Sequence, residues 1–332
     1  MIPPPPALFA EPSSDAARAA FAQKPRALAD KTCTVADAVS RLVNDGDYFA
    51  SGGFGSNRIP TAVIHEILRQ RKQNLRFAGH TTTHDFQILC AGNMNGRGKT
   101  LAAVDISYIL GLEPRGLSAH SRRVMQSGEV QTVEWSNYGL ALRFAAAAMG
   151  VPFLPLHSML GTDTEKCSAA KRIVCPFTGE QLLAVPALYP DVAAIHVHEA
   201  DRYGNSRFIG NSVADIDLAR AAKRLIITCE RLVPHEEMRR NPHLTQIPFL
   251  CVDAVCEVPY GSYPGNMPGE YFSDEEHLKA WLAAESDPEV FRRFVEDHID
   301  NLSDFTAYIE KCGGLKRMQQ LRQRELLLTH GY

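Results

Sequence analysis

The sequence predicts an α/β protein built on one open, largely parallel β-sheet with flanking helices. Two observations lead to this prediction. Short runs rich in β-branched and aromatic residues alternate with segments of helical periodicity, which is typical of consecutive βαβ units. In addition, the first apolar run, at residues 48–51, ends in a glycine pair and is followed by a helix that begins at Pro60.

Composition supports a globular chain and excludes several classes of protein. The 332 residues are 45% hydrophobic and 22% charged, which is ordinary for a folded protein and argues against disorder. The formal net charge of −3 leaves no basic excess, and no stretch interleaves Lys or Arg with aromatic residues. We therefore expect no nucleic-acid partner.

The eight cysteines contain no Cys-x-x-Cys pair, and several lie inside apolar runs, so they are predicted to be free and buried. The chain has no signal-peptide core and no apolar run of about 18 residues. It is therefore predicted to be cytoplasmic, with no membrane contact.

Three segments are predicted along the chain. Residues 1–32 open with Pro3-Pro4-Pro5-Pro6 and have weak periodicity, so they are predicted to be a flexible N-terminal arm, mobile or draped on a partner. Thr34 is predicted to cap a helix at residues 35–43. The α/β domain spans residues 33–272, and residues 273–332 form a helical C-terminal extension.

The elements of the first half follow from local patterns. Strands are predicted at residues 48–51, 75–78, 100–106 and 130–134. Helices are predicted between them at residues 62–71, 85–91, 116–125 and 138–148. Their apolar residues recur at helical spacing, so each helix can cover one face of the sheet. Ligands of such sheets bind beyond the carboxyl ends of the strands.

The second half begins near Thr162. A small β-hairpin insertion is predicted from residues 173–175 and 182–185, which flank Pro176-Phe177-Thr178-Gly179. Further strands are predicted at residues 192–197, 225–229 and 250–258, with a helix at 215–223. After Phe272 the pattern is helical, at residues 275–284, 288–297, 302–309 and 315–327.

The turn after the first strand is the strongest candidate for a binding site. Gly52, Gly53 and Gly55 tolerate positive φ and lack a Cβ, so the backbone there can approach a ligand closely. The pattern is not the dinucleotide-binding fingerprint, because Arg58 stands where its third glycine would be. Tight turning alone explains such a sequence equally well.

The run that contains this turn resembles the Gly-Gly-Phe signature near the N-terminus of the α subunit of family I coenzyme A transferases. The similarity covers roughly residues 33–325, and it departs from the broad family pattern at Ser51 and Arg58. The glutaconate branch is the most similar, and it has an arginine like Arg58. Further motifs follow in the order expected of the family: Glu134-Trp135-Ser136-Asn137, Pro152-Phe153-Leu154-Pro155, Asp201-Arg202-Tyr203-Gly204-Asn205, Thr228-Cys229-Glu230, Val252-Asp253-Ala254-Val255 and Pro259-Tyr260-Gly261-Ser262-Tyr263-Pro264.

The resemblance implies a family I CoA-transferase fold and exchange of CoA between small carboxylic acids, a dicarboxylate or a 3-oxo acid. In that family a glutamate attacks the acyl-CoA and becomes a thioester with CoA. That glutamate belongs to a Ser-Glu-Asn-Gly-type motif of the β subunit, which this sequence lacks. We therefore expect no catalytic residue in this chain, a non-identical β subunit that carries the glutamate, and an α2β2 or larger assembly. The CoA thioester is a substrate, and no permanently bound cofactor is expected.

Nine residues are predicted to contact substrate. The amides of Gly52, Gly53 and Phe54 are expected to line the cavity as oxyanion donors, and Phe54 to exclude water. Arg58 is the expected anchor for a substrate carboxylate, although a salt bridge explains it equally well. The remaining candidates are Ser51 beside the turn, His80 and Thr81 after the second strand, and Tyr260 and Ser262 in a later loop.

No metal site is predicted. His80 and His84 are four residues apart, but three threonines between them disfavour a regular helix. His196 and His198 alternate on a strand, yet the stretch resembles the family strand that leads into the turn at Gly204.

Two other functions fit the same sequence. One is a subunit of a related hydrolase that opens a cyclic acyl-CoA, and the other is a non-catalytic ligand-binding or assembly protein of the same fold. The sequence of a partner distinguishes them, because the transferase requires the partner's glutamate.

Overall fold

The computed structural model describes residues 7–109 and 116–329. In chain order the strands are β1 (Tyr48–Ser51), β2 (Leu75–Thr82), β3 (Leu101–Ile109), β4 (Gln131–Glu134), β5 (Phe153–Leu156), β6 (Lys171–Val174), β7 (Gln181–Pro186), β8 (Val192–Ala200), β9 (Ser206–Arg207), β10 (Arg224–Leu232) and β11 (Ala254–Glu257).

The α-helices are α1 (Ser14–Ala22), α2 (Val35–Leu42), α3 (Thr61–Arg69), α4 (His84–Ala91), α5 (Ala119–Gln126), α6 (Asn137–Met149), α7 (Asp163–Cys167), α8 (Asp215–Ala221), α9 (His235–Arg240), α10 (Glu275–Ala284), α11 (Pro288–Val295), α12 (Phe305–Lys311) and α13 (Gly314–Thr329). Short 3₁₀ turns occur at Pro242–Leu244 and Phe249–Cys251, and a π-helical turn at Glu296–Asp300. Among the described residues no helix combines the length and apolar character that a membrane span requires.

The main sheet confirms the predicted fold class. Its strands lie in the order β11-β10-β8-β1-β2-β3-β4, all parallel, and β9 pairs antiparallel with the end of β8. The chain therefore runs from β1 to β4 on one side and from β8 to β11 on the other. β1 and β8 are neighbours whose connections leave in opposite directions. Such a switch point opens a crevice at the carboxyl ends of the strands, and the glycine turn directly follows β1.

Both faces of the sheet are covered, which explains why the strands read as continuous apolar runs. Side chains alternate between two apolar clusters: Phe49 and Phe77 lie in one, and Tyr48 and Ala50 in the other. The first cluster also contains residues of α3, α4 and the C-terminal helices. The second contains residues of α6 and α8.

A buried carboxylate fixes the start of α6 against the sheet. Asp105 on β3 accepts hydrogen bonds from Trp135 Nε1 at 2.5 Å and from the hydroxyl of Tyr48. It also pairs with Arg143 of α6, with 2.8 Å between the charged atoms. Ser136 caps the helix by accepting from the amide of Gly139 at 2.9 Å. These bonds place the first turn of α6 at the carboxyl edge of the sheet.

Two parts of the second half differ from the prediction. The hairpin is confirmed as β6 and β7, but β5 adds a third antiparallel strand that the sequence did not reveal because it contains Pro155. Proline is tolerated there because β5 is an edge strand. The strand predicted at residues 250–258 is wrong in its first half. A 3₁₀ turn at Phe249–Cys251 occupies part of that segment, and Asp253 then accepts a hydrogen bond from Leu225 N at 2.7 Å before β11 begins.

Within the predicted N-terminal arm, residues 3–6 lie outside the described residues. Helix α1 follows, with Ala17 buried, and Lys24 pairs with Asp253 at 2.9 Å. Residues 31–33 run along β11, since Val255 N donates to Lys31 O at 2.9 Å and Cys33 N donates to Val255 O at 3.0 Å. The division into arm, α/β domain and C-terminal extension stays a prediction.

Candidate active site at the end of the first strand

The amides of the glycine turn are all bound within the chain. Gly52 N donates to Ala194 O of β8 at 2.8 Å, and Gly53 N to Asp215 Oδ1 at 2.7 Å. Phe54 N donates to Asn57 O at 3.0 Å, and Gly55 N to Thr81 O at 2.9 Å. The predicted oxyanion donors therefore have other acceptors in this structure: two come from distant segments, and the acceptor of Phe54 N lies within the turn. The role of Gly52, Gly53 and Phe54 as substrate contacts stays a prediction. Because their amides are bonded within the chain, such contacts would depend on the shape of the turn and not on free N–H groups.

Close packing explains why two of these positions are glycine. Gly53 has φ +88°, and a Cβ there would lie 2.5 Å from Asn57 O and 2.9 Å from Arg58 O. A Cβ at Gly52 would lie 2.7 Å from Asp215 Oδ1. Only a residue without a side chain allows the strand end, the turn and α8 to approach this closely.

Arg58 is enclosed by protein and has its own carboxylate partner. Its side chain has no exposed surface, and Nη2 lies 2.5 Å from Asp215 Oδ2. The guanidinium also stacks over Phe208 at 4.3 Å and donates to Asn211 O, while Nε and Nη1 have no hydrogen-bond partner among the described residues. In this arrangement Arg58 holds Asp215, which in turn holds the amide of Gly53. Its predicted role as an anchor for substrate stays a prediction.

His80 and Thr81 lie beside the turn, as the position of the second strand predicted. The ring of His80 is 5.6 Å from that of Phe54, and its Nδ1 is 3.1 Å from Thr81 Oγ1. Burial lowers the pKa of His80, so its imidazole is neutral at pH 7. Its Nε2 is buried and makes no hydrogen bond of good geometry among the described residues, although the nearby backbone of Asn137 partly offsets the effect of burial on the pKa of His80. A buried nitrogen without a well-formed hydrogen bond next to the turn is the feature of this site most suited to a ligand.

Asn137 belongs to one of the motifs that carry the family resemblance, but it was not predicted to be a site residue. Its Oδ1 accepts from Thr81 Oγ1 at 3.3 Å and from Ser107 Oγ at 2.8 Å. The signal in the sequence was the cap at Ser136, since a capped helix that follows β4 begins at the same edge of the sheet as the turn. Ser51, by contrast, is buried and its hydroxyl donates to Gly52 O at 3.1 Å, within the turn itself.

The loop with Tyr260 and Ser262 packs at the start of α3. Ala62 N donates to Gly261 O at 3.3 Å, and Thr61 Oγ1 to Ser262 O at 3.2 Å. Ser262 has no exposed surface, while Tyr260 is half-buried with φ +62°. The same loop reaches the turn directly through Asn266, whose N donates to Ser56 O and whose O accepts from Arg58 N, both at 2.9 Å. These contacts use backbone atoms and not the side chains predicted to bind substrate.

Glu230 is a buried glutamate near the end of β10. Its Oε1 lies 2.8 Å from His196 Nε2 and accepts from the Tyr271 hydroxyl at 2.7 Å. Its Oε2 accepts from Tyr260 N at 2.7 Å. These bonds support the loop. They leave Glu230 poorly placed to act as a nucleophile.

Asp85, in the first turn of α4, is expected to make the unfolding free energy depend on pH. It is buried and accepts from Thr83 N at 2.6 Å, and burial raises the pKa of its carboxyl to about 6 from 3.8. A raised carboxyl pKa stabilises the fold at low pH, and that contribution is lost as the pH rises through 6.

We expect the free energy of unfolding of Asp85→Asn to equal that of the unchanged chain near pH 4. At pH 8 the variant should be more stable by about 2–3 kcal/mol. Urea unfolding at both values tests this, and a difference that does not change with pH would contradict it.

Comparison with known proteins assigns the family. The model of the family described as "Coenzyme A transferase" matches residues 32–258. This chain belongs to the coenzyme A transferase family. It is 33% identical to the A subunit of glutaconate CoA-transferase from Acidaminococcus fermentans, over 86% of this chain and 93% of that one. It is 36% identical to the A subunit of 3-oxoadipate CoA-transferase from Pseudomonas knackmussii, over 84% and 96% of the two chains.

A solved structure agrees with the sequence relatives. The crystal structure of glutaconate coenzyme A-transferase from Acidaminococcus fermentans superposes with a TM-score of 0.82 at 33% identity, over 88% of this chain and 95% of that one. The cholesterol ring-cleaving hydrolase IpdA subunit of Rhodococcus jostii is more distant, at 26% identity over 85% of this chain and 96% of that one. The chain is thus a CoA-transferase, and both transferase relatives are named as A subunits of their enzymes. The hydrolase alternative is not better supported.

Proposed function

We propose that this chain is the α subunit of a hetero-oligomeric enzyme that moves CoA between small carboxylic acids, with the nucleophilic glutamate on a separate β subunit. The acids are a dicarboxylate or a 3-oxo acid, since the two transferase relatives are named for glutaconate and 3-oxoadipate. We also propose that two or more of these αβ pairs associate, which gives an α2β2 or larger assembly. The single observation that carries the proposal is the glycine turn at the switch point between β1 and β8, beside the buried Nε2 of His80, which makes no hydrogen bond of good geometry among the described residues.

The geometry supports division of labour between two subunits. The carboxylate at the turn, Asp215, is occupied by Gly53 N and Arg58, and Glu230 is occupied by His196 and Tyr271. A nucleophilic carboxylate must instead reach the acyl carbon. In this proposal the chain therefore contributes a rigid wall, and the partner contributes the attacking group.

We assign the predicted contacts as follows. Phe54, His80 and Thr81 meet the acyl part of the substrate, with Phe54 excluding water so that a mixed anhydride is not hydrolysed. Arg58 and Ser262, which have no exposed surface, hold the turn and the loop in place. Ser51 supports the turn through its hydrogen bond to Gly52 O, and Tyr260 stays a predicted substrate contact from the later loop.

Trapping the acylated enzyme tests this proposal. The full chain is co-expressed with its partner, and the complex is exposed to glutaryl-CoA. The thioester formed between the enzyme glutamate and CoA is then reduced with borohydride or cleaved with hydroxylamine. We expect mass spectrometry to locate the modification on one glutamate of the partner, and the isolated chain to exchange no CoA. Modification of a glutamate in this chain, or CoA exchange by the isolated chain, would overturn the division of labour.

A further inference from the structure

Three side chains of types that bind metals meet where the C-terminal helices pack together. They are remote in sequence from the glycine turn and lie on different secondary-structure elements. His277 lies on α10, His298 in the π-helical turn after α11, and Cys312 at the C-terminal end of α12. One ligand atom from each side chain lies within 4.8 Å of the other two. Since the three residues come from separate helices, their approach is a result of tertiary packing.

One ring nitrogen of each histidine is already held by a neighbour. His298 Nδ1 lies 2.8 Å from Phe294 O, and a carbonyl can only accept, so Nδ1 carries the hydrogen and Nε2 keeps a lone pair. His277 Nε2 lies 2.8 Å from the Tyr308 hydroxyl, which leaves Nδ1 facing Cys312 Sγ at 3.8 Å. Metal-binding histidines typically have their second nitrogen fixed in this way.

Neighbouring residues restrain the three side chains, and a cavity beside them gives an ion access to the cluster. The ring of His298 stacks on Phe294 with 4.0 Å between centroids, which holds its orientation. The π-helical turn that carries His298 is a geometry often found at functional sites. A cavity of about 440 Å³ lined by His277, Cys312 and Arg317 opens beside the cluster. An ion can therefore enter, and a fourth coordination position can face the cavity.

We propose that His277, His298 and Cys312 form a binding site for one Zn²⁺ ion, completed by a water molecule from the cavity. One thiolate and two imidazoles are ligands that zinc prefers. Ligand atoms in a tetrahedral zinc site are about 3.4–3.6 Å apart, so the His277–Cys312 pair needs little movement and His298 somewhat more. On binding, the thiol of Cys312 releases its proton to solvent. The bound ion would join α10, the π-helical turn and α12.

Metal titration of the full chain tests this site. After chelator treatment the protein is titrated with Zn²⁺ in competition with a coloured indicator, and separately with Co²⁺. We expect one Zn²⁺ per chain, a thiolate-to-Co²⁺ charge-transfer band, and a higher thermal midpoint with Zn²⁺. Cys312→Ser and His298→Asn should each weaken Zn²⁺ binding more than about 100-fold and remove the rise in midpoint.

Two choices of variant keep the result interpretable. Asn at position 298 can still donate to Phe294 O, so it preserves the fold if Cys312→Ser does not. Cys33→Ser removes another half-buried thiol and should leave Zn²⁺ binding unchanged. No Zn²⁺ binding by the unchanged chain, or equal binding by His298→Asn, would overturn the proposal. Neither result decides the CoA-transfer proposal, whose test locates the modified glutamate, although the His277 ring lies 5.6 Å from that of Tyr263 in the loop after Ser262.

Discussion

Alanine at Gly53 is expected to reduce kcat/KM for CoA transfer by the assembled enzyme at least about 100-fold. The added Cβ would lie 2.5 Å from Asn57 O and 2.9 Å from Arg58 O, and both contacts are with backbone that cannot rotate away. The φ of +88° adds strain for any residue with a side chain. The turn must therefore shift, and the wall beside Phe54 and His80 shifts with it.

Gly55→Ala is the matched control for this change. Gly55 also has positive φ, at +62°, but a Cβ there meets no heavy atom within 4 Å. It should lose about 1–2 kcal/mol of stability from backbone strain and retain far more activity than Gly53→Ala. Steady-state kinetics with the partner subunit, and urea unfolding of each variant, measure the two effects. Equal activity of the two variants would contradict the importance of close packing at Gly53.

Asp215→Ala is expected to destabilise the fold by about 3–5 kcal/mol. The change leaves the fully buried guanidinium of Arg58 without its carboxylate and the amide of Gly53 without its acceptor. A buried charge that has lost its partner costs more than the ion pair contributed. Chemical denaturation of the full chain at pH 7 provides the measurement.

Two further variants separate this effect from the loss of a surface charge. Asp163 pairs with Lys166 where the side chains are 95% and 64% exposed, so Asp163→Ala should leave the unfolding free energy unchanged. The double variant Asp215→Ala with Arg58→Met removes both buried charges and should recover part of the lost stability. A double variant that is less stable than Asp215→Ala alone would argue against an uncompensated charge as the cause.

Local patterns predicted most of the fold because the parallel strands are apolar on both faces and are bounded by turn residues. β1 was predicted to the residue, since polar or glycine positions flank Tyr48–Ser51. β2 continues further than predicted, to Thr82, because Thr81 and Thr82 pair with residues of β3. That pairing is long-range, and the polar side chains gave no local sign of it.

The sequence predicted that the glycine turn and His80 lie at the same edge of the sheet, but it did not predict the hydrogen bonds that the turn makes. The glycine turn and His80 meet because the strands that precede them are neighbours in a parallel sheet. The acceptor for Gly53 N is Asp215, which follows β8 and is remote in sequence. For the same reason the cluster of His277, His298 and Cys312 has no recognisable spacing in the sequence. Local patterns carry no information about such contacts between distant segments.

The pairing of residues 31–33 with β11 has a consequence for how the molecule behaves in a crowded solution. β11 is the outer strand of the main sheet, and an outer strand with free backbone groups can recruit a strand from another molecule. Here Val255 has both of its backbone groups bonded to Lys31 and Cys33. Residues 31–33 thus cover the backbone of β11 at Val255, and a strand from another molecule must displace them before it can pair there.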